Sequence, residues 1–74
     1  MSDHHLDAKG LNCPLPILRA KKTLAGMESG DRLHIEATDP GSIKDFEAFC
    51  NQTGNVLEKS GSLNGSFTFD IRKT

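Results

Sequence analysis

The chain has 74 residues, and a domain of this size buries only about 60% of the surface that its unfolded chain exposes. We therefore expect one domain over residues 1–74, with residues 1–4 disordered. Nine Lys and Arg against ten Asp and Glu give a net charge of −1, which argues against stable nucleic-acid binding through bulk phosphate attraction. The sequence lacks both an apolar run of about 20 residues and an apolar signal segment, so we expect a cytoplasmic protein with no membrane partner.

The cysteine and histidine content limits the chemistry of the chain. Cys13 and Cys50 lie far apart, which matches neither a disulfide framework nor a Cys-x-x-Cys redox pair, and this favours free thiols in a reducing compartment. The three histidines and two cysteines match no ligand spacing of a zinc site. We therefore expect no metal and no cofactor.

The chain begins with a strand and a helix. Leu6 and Ala8 alternate with polar neighbours, which predicts a short strand with one buried face, and Gly10 ends it. A helix is predicted from Pro14 to about Gly26 because its apolar residues share one face. These residues are Ile17, Leu18, Leu24 and Ala25.

The turn between this strand and helix contains a cysteine flanked by prolines. We interpret Cys13 as the helix N-cap, with Pro14 and Pro16 at the first and third helical positions, where N–H groups have no intrahelical acceptor. The prolines also stiffen the turn. An ordinary helix start would use Ser, Thr, Asp or Asn, so a cysteine here indicates chemistry. The alternative is a structural helix start with an inert, buried cysteine.

A second strand and helix follow. Residues 32–37 alternate and predict a strand with His34 on its polar face. Asp39 is predicted to cap the next helix, with Pro40 at its first position and an end near Thr53 before Gly54. Its predicted apolar face consists of Ile43, Phe46, Phe49, Cys50 and Thr53. Cys50 is therefore predicted to be structural.

The last part of the chain predicts a hairpin. Val56 to Lys59 is a weak third strand, and the turn-rich residues 60–65 end in an Asn-Gly pair typical of hairpins. Residues 66–72 show the strongest alternation, so we expect a central strand. The order β-α-β-α-β-β then predicts an α/β two-layer sandwich, a mixed four-stranded sheet with both helices packed on one face.

Cys13 is the candidate functional residue. At a βα turn it is reachable from outside, and a helix N-terminus there is expected to lower the pKa of its thiol from about 8.5. No evident Cys-His-Asn or Cys-His-Asp set accompanies it, nothing requires His34 to approach it, and the chain leaves little room for a substrate cleft. A lone exposed thiolate favours thiol exchange or group carriage with a partner protein.

The chain resembles the TusA/SirA-like sulfur carrier family over Leu6 to Lys73. The resemblance rests on the Gly-x-x-Cys-Pro-x-Pro motif at a β-to-α junction and on several shorter matches. The motif residues are Gly10, Cys13, Pro14 and Pro16; the shorter matches are Leu6-Asp7, Lys21-Lys22, Gly30-Asp31, Asp39-Pro40 and Phe49-Cys50.

The resemblance implies a sulfurtransferase-type persulfide carrier. Cys13 would take sulfane sulfur from a cysteine desulfurase, a rhodanese or a DsrE-like partner and pass it to the next protein, with Gly10, Pro14 and Pro16 as structural support. Relatives serve tRNA 2-thiouridine formation, molybdenum cofactor synthesis or oxidation of reduced sulfur compounds. Leu15 replaces the glutamate of the best-known tRNA-thiolation member, so the resemblance does not specify the pathway.

Four residues of the first helix are candidates for partner docking. Leu15 is either a docking contact or a filler of the helix–sheet seam, and Arg19, Lys21 and Lys22 form a basic surface that steers an acidic partner or is simply solvated. We expect a monomer. The alternatives to a sulfur carrier are a non-catalytic regulatory or binding module and a thiol redox protein that uses Cys13.

Overall fold

The computed structural model describes residues 2–74, which form four strands and two helices. In chain order these are β1 (Asp3–Ala8), α1 (Leu15–Ala25), β2 (Arg32–Ala37), α2 (Ser42–Thr53), β3 (Val56–Leu63) and β4 (Ser66–Arg72). The strands form one sheet in the order β1-β2-β4-β3, in which β1 and β2 are parallel and the other pairs antiparallel. Both helices cover one face, which confirms the predicted sandwich. Among residues 2–74, neither helix is long and apolar enough to cross a membrane.

The predicted central position of β4 is confirmed. β4 lies between β2 and β3, and its register places Phe69 opposite Ile35 and Ile71 opposite Leu33. These four side chains are buried beneath the helices because alternate residues of a strand share one face. The intervening residues face the uncovered side of the sheet.

The two layers meet at a pair of phenylalanines. Phe46 of α2 and Phe69 of β4 are both almost fully buried, and their ring centroids lie 4.7 Å apart at a tilt of 35°. Offset and tilted ring pairs of this kind add to the stabilisation that burial alone provides. Cys50 is buried in the same core, which confirms its predicted place.

The buried face of α1 differs from the prediction. Pro16, Ala20 and Leu24 face the core at intervals of four residues, whereas Leu18 is 53% exposed and Ala25 is also exposed. The prediction was right for Leu24 but wrong for Leu18 and Ala25, because the buried stripe continues from Leu24 through Ala20 to Pro16. The small side chain of Ala20 lets the helix lie close to the sheet.

The end of β3 and part of the α2 face also differ from the prediction. β3 continues to Leu63 instead of ending at Lys59, because backbone pairing with β4 extends it where its side chains show no apolar alternation. The Asn64-Gly65 turn is confirmed, with φ angles of 52° and 81° as tight hairpin turns require. On α2, Ile43 and Thr53 are exposed, whereas Ser42 is buried.

The N-terminal residues were predicted to be disordered, but Asp3 and His4 belong to β1. Their neighbour Asp31 explains the order, since its carboxylate accepts the Ser2 N–H at 2.9 Å and bonds the His4 ring at 3.1 Å. Bonds from the backbone of Ser2 and Glu28, and then from His4, hold the pKa of Asp31 below its usual range. Met1 lies outside the described residues.

The aromatic contact predicts a strongly destabilising core substitution. We expect Phe46→Ala to reduce the free energy of unfolding by about 3–5 kcal/mol, because a buried ring is lost and its cavity cannot fully close. This is a large part of the total stability of a small domain, about 5–15 kcal/mol. Urea unfolding followed by circular dichroism measures it.

The matched control is Leu63→Ala in the hairpin, where the side chain is 72% exposed. We expect this variant to change the free energy of unfolding by less than about 0.5 kcal/mol. Equal losses in the two variants would contradict the assignment of Phe46 to the core.

Candidate functional site

The loops that follow β1 and β2 meet at one edge of the sheet. The two strands are parallel neighbours, with Ala8 opposite Ala37, so their carboxyl ends lie side by side. The Gly10 N–H donates to Thr38 Oγ1 at 2.9 Å, and the Cys13 N–H donates to Asp39 Oδ2 at 2.9 Å. Two hydrogen bonds therefore fix the cysteine loop to the second loop.

Asp39 has a different role from the predicted helix cap. α2 begins at Ser42 with Gly41 in the N-cap position, so Pro40 precedes the helix and the predicted positions of both residues were wrong. Asp39 Oδ1 accepts the Gly41 N–H at 3.3 Å while Oδ2 accepts the Cys13 N–H. The carboxylate is thus shared between its own loop and the cysteine loop.

Cys13 lies one residue before the N-cap of α1. The helix begins at Leu15 with Pro14 in the N-cap position, so the prediction of Cys13 as the cap was displaced by one residue. Leu15 N–H donates to the carbonyl of Asn12 at 2.8 Å and closes a turn around the cysteine. Cys13 is exposed, which excludes the alternative of a buried, inert cysteine.

The predicted acidity of Cys13 was wrong. The pKa of its thiol is raised from the ordinary value, chiefly by hydrogen bonding to the Asp45 carboxylate, then by desolvation and by the negative charges of Asp45 and Asp39. The helix N-terminus carries only about half a positive charge, and its effect falls off within the first turn. Two nearby carboxylates outweigh it.

The thiol and the two carboxylates form a compact group. Cys13 Sγ and one carboxylate oxygen each of Asp39 and Asp45 all lie within 4.8 Å of one another. These are possible metal ligands, but both Asp39 oxygens already accept backbone N–H bonds. The two carboxylates instead favour retention of the proton on the Cys13 thiol.

Cys13 opens onto a shallow groove of about 220 Å³ between the two helices. Its apolar lining is Pro14, Ile17, Ala48 and Phe49. Asp45 lies at the polar side of the groove beside the thiol. Asp45, Ala48 and Phe49 of α2 were not predicted as site residues, although they recur at three-to-four spacing. Their distance from Cys13 depends on how the two helices pack, which the sequence does not show.

The motif and docking residues surround this site. Gly10 adopts a φ of 81°, a left-handed conformation that favours glycine and lets the loop turn toward Thr38. Leu15 is 45% exposed, so it does not fill the helix–sheet seam. The basic residues Arg19, Lys21 and Lys22 are also exposed on α1.

Two residues considered in the sequence lie outside the site. His34 is on the uncovered face of the sheet, where its Nδ1 bonds Asp70. Cys50 is 5% exposed in the core, and burial raises the pKa of its thiol. Neither side chain joins Cys13.

The acidic neighbour predicts a change in thiol reactivity. We expect Asp45→Asn to lower the pKa of Cys13, because it removes the negative charge and the carboxylate that hold the thiol proton. The thiolate fraction at neutral pH then increases, and alkylation by iodoacetamide becomes several-fold faster. The pH dependence of the alkylation rate, measured in a Cys50→Ala background, gives the pKa.

The control is Glu47→Gln, which removes an exposed carboxylate from another side of α2. We expect it to leave the alkylation profile unchanged. A midpoint that stays in place or moves upward in Asp45→Asn would contradict the proton-retaining role of Asp45.

Comparisons with known proteins agree on one family. The family model described as sulfurtransferase TusA matches residues 4–73. The chain is 64% identical over 72 residues to the sulfur carrier protein TusA of Allochromatium vinosum, covering 97% of this chain and 95% of that protein. It is 54% identical over 72 residues to a putative sulfur carrier protein of Neisseria meningitidis serogroup A, covering 97% of each.

A solved structure agrees with these sequence matches. The crystal structure of a SirA-like protein from Desulfitobacterium hafniense superimposes with a TM-score of 0.82 at 28% identity, covering 93% of this chain and 95% of that one. The predicted resemblance is confirmed at both levels. Because the family model spans nearly the whole chain and the relatives match over nearly their whole length, this chain belongs to the TusA sulfurtransferase family.

Proposed function

We propose that this sulfur carrier bears sulfur as a persulfide on Cys13. The observation that carries the proposal is that the Cys13 thiol is exposed at the edge of the sheet. The backbone N–H of the same residue donates to the Asp39 carboxylate and so fixes its position. The buried Cys50 offers no comparable access. The names of the relatives, sulfur carrier proteins, support the same function.

The transfer is a thiol exchange at sulfane sulfur. The Cys13 thiolate attacks the outer sulfur of a donor persulfide, R–S–SH, and forms the new S–S bond of Cys13–S–SH. The donor S–S bond breaks, and its electron pair leaves on the donor as R–S⁻. Delivery repeats the exchange with an acceptor thiolate and restores Cys13 as a thiolate. No external oxidant or reductant is needed.

Asp45 favours the protonated form of the Cys13 thiol, because its carboxylate is the main cause of the raised pKa. The thiolate fraction of Cys13 at neutral pH is therefore lower in the carrier alone than in an ordinary cysteine. A partner that docks in the groove beside Asp45 would change the surroundings of both groups and so couple the reactivity of Cys13 to its own presence.

Two alternatives use the same fold without sulfur carriage: a thiol redox protein that uses Cys13, and a regulatory module without thiol chemistry. The raised pKa of Cys13 does not separate the redox protein from the carrier, because peroxide and a donor persulfide both react with the thiolate. Sulfur loading separates the carrier from both alternatives.

The partners in this proposal are proteins of sulfur transfer. A cysteine desulfurase, a rhodanese or a DsrE-like protein would donate or accept the sulfur, in tRNA thiolation, molybdenum cofactor synthesis or sulfur-compound oxidation. The same proposal includes a cytoplasmic monomer that binds neither nucleic acid stably nor a membrane. The exposed Arg19, Lys21 and Lys22 would make association with an acidic partner dependent on salt.

Sulfur loading is the direct experiment. After incubation with a cysteine desulfurase and cysteine, intact-mass spectrometry is expected to show one added sulfur atom that a thiol reductant removes. Cys13→Ser should abolish the addition because it lacks the nucleophile. Cys50→Ala should retain it, since that thiol is buried. Addition that depends on Cys50, or no addition with competent donors of all three classes, would overturn the proposal.

Leu15 provides a test of the docking surface. We expect Leu15→Ser to slow sulfur uptake from a productive donor several-fold, because it removes an exposed apolar contact close to the thiol. The rate of persulfide formation in a rapid-quench time course measures this effect. The free energy of unfolding should change by less than about 0.5 kcal/mol.

The matched control is Leu63→Ser, which changes an equally apolar and more exposed residue in the β3–β4 hairpin. Its uptake rate should equal that of the unmodified chain. Equal uptake rates in the two variants would place the docking surface elsewhere.

A further inference from the structure

A second group of reactive side chains lies on the uncovered face of the sheet. The parallel pairing of β1 and β2 places His5 directly opposite His34, and Glu36 follows two residues later on the same face. Leu33 and Ile35, which alternate with them, are buried under the helices. The group therefore lies on the opposite side of the sheet from the groove of Cys13.

The ligand atoms are spaced almost as a tetrahedral metal ion requires. Glu36 Oε1 lies 3.6 Å from His5 Nε2 and 3.9 Å from His34 Nε2. The three residues can each offer one ligand atom within 4.8 Å of the other two. Ligands bonded to Zn²⁺ at about 2.0–2.2 Å in a tetrahedron are about 3.4 Å apart.

Neighbouring groups orient two of the three ligands. His34 Nδ1 bonds Asp70 Oδ1 on β4, an arrangement that assigns the proton to Nδ1 and leaves the Nε2 lone pair for a metal. Glu36 Oε2 lies 3.6 Å from Lys9 Nζ, which turns Oε1 toward the two histidines. Carboxylate-supported histidines are a regular feature of metal sites.

We propose that His5, His34 and Glu36 bind a zinc-class divalent cation. Imidazole nitrogen and carboxylate oxygen are ligands that zinc accepts, and three protein ligands leave a coordination position for water. The side chains are 57%, 41% and 28% exposed in that order, so the ion reaches them without rearrangement of the core. The predicted absence of a metal rested on spacing along the chain, which does not show which residues two paired strands bring together.

The adjacent His4 provides an internal control. Its side chain belongs to the other face of β1, and its Nε2 bonds Asp31 Oδ2 at 3.1 Å. A site formed by the sheet requires His5 and excludes His4. Adventitious binding by the His4-His5 pair as a flexible segment would require both.

The experiment is a titration of the purified Cys13→Ser variant with Zn²⁺ alone, which removes competition from the exposed thiol. Isothermal calorimetry gives the stoichiometry, and histidine side-chain NMR shows which rings respond. We expect one saturable site, with shifts of the His5 and His34 resonances and a much smaller change at His4.

Variants in the same background decide the assignment. We expect His5→Gln, His34→Gln and Glu36→Gln each to weaken binding by more than about tenfold, and Asp70→Asn to weaken it by about tenfold through His34 alone. His4→Gln should bind as the parent variant does. Equal losses in His4→Gln and His5→Gln, or no saturable binding, would overturn the proposal.

Discussion

Two hydrogen bonds between the loops that follow β1 and β2 determine where Cys13 lies. Gly10 donates to Thr38, and Cys13 donates through its own N–H to the Asp39 carboxylate. Both depend on the parallel pairing of the two strands, which brings the loops to the same edge. The prolines stiffen the turn locally, but the second loop fixes its position relative to the sheet.

The second loop and its helix also determine the acidity of the thiol. A helix N-terminus favours a thiolate, and this alone would make Cys13 a strong nucleophile. Asp39 and Asp45 reverse that outcome, because each is a full negative charge near Sγ whereas the helix contributes a partial one. In the proposed carrier, the protonated thiol would be oxidised more slowly than a thiolate.

The parts of the fold with one-sided burial were predictable from the sequence. The bounds of β2 and β4, Arg32–Ala37 and Ser66–Arg72, follow from strict alternation, because both strands are central and covered on one face only. β3 was predicted too short because an edge strand is held by backbone pairing, which leaves no apolar pattern. The face of α1 was misread because Pro16 and Ala20 are small and weakly apolar.

The site itself was predictable only in part. Cys13 and the motif around it are contiguous, so their exposure at a βα junction could be inferred. The acidic neighbours come from another loop and helix, and no local pattern connects Asp45 with Cys13. The direction of the pKa shift of Cys13 therefore required the tertiary structure. The pairing of His5 with His34 on neighbouring strands required it as well.

The buried core determines which side chains lie opposite one another on the uncovered face of the sheet. A strand that slips by one residue moves every side chain to the other face, so burial of Leu33 and Ile35 opposite Phe69 and Ile71 specifies the register of β2. That register in turn holds His34 and Glu36 at fixed positions beside β1. Within residues 2–74, these side chains share no hydrogen-bond partner with Cys13, so substitutions at one proposed site should leave the other unaffected. One small core thus positions both proposed sites, on opposite sides of the sheet.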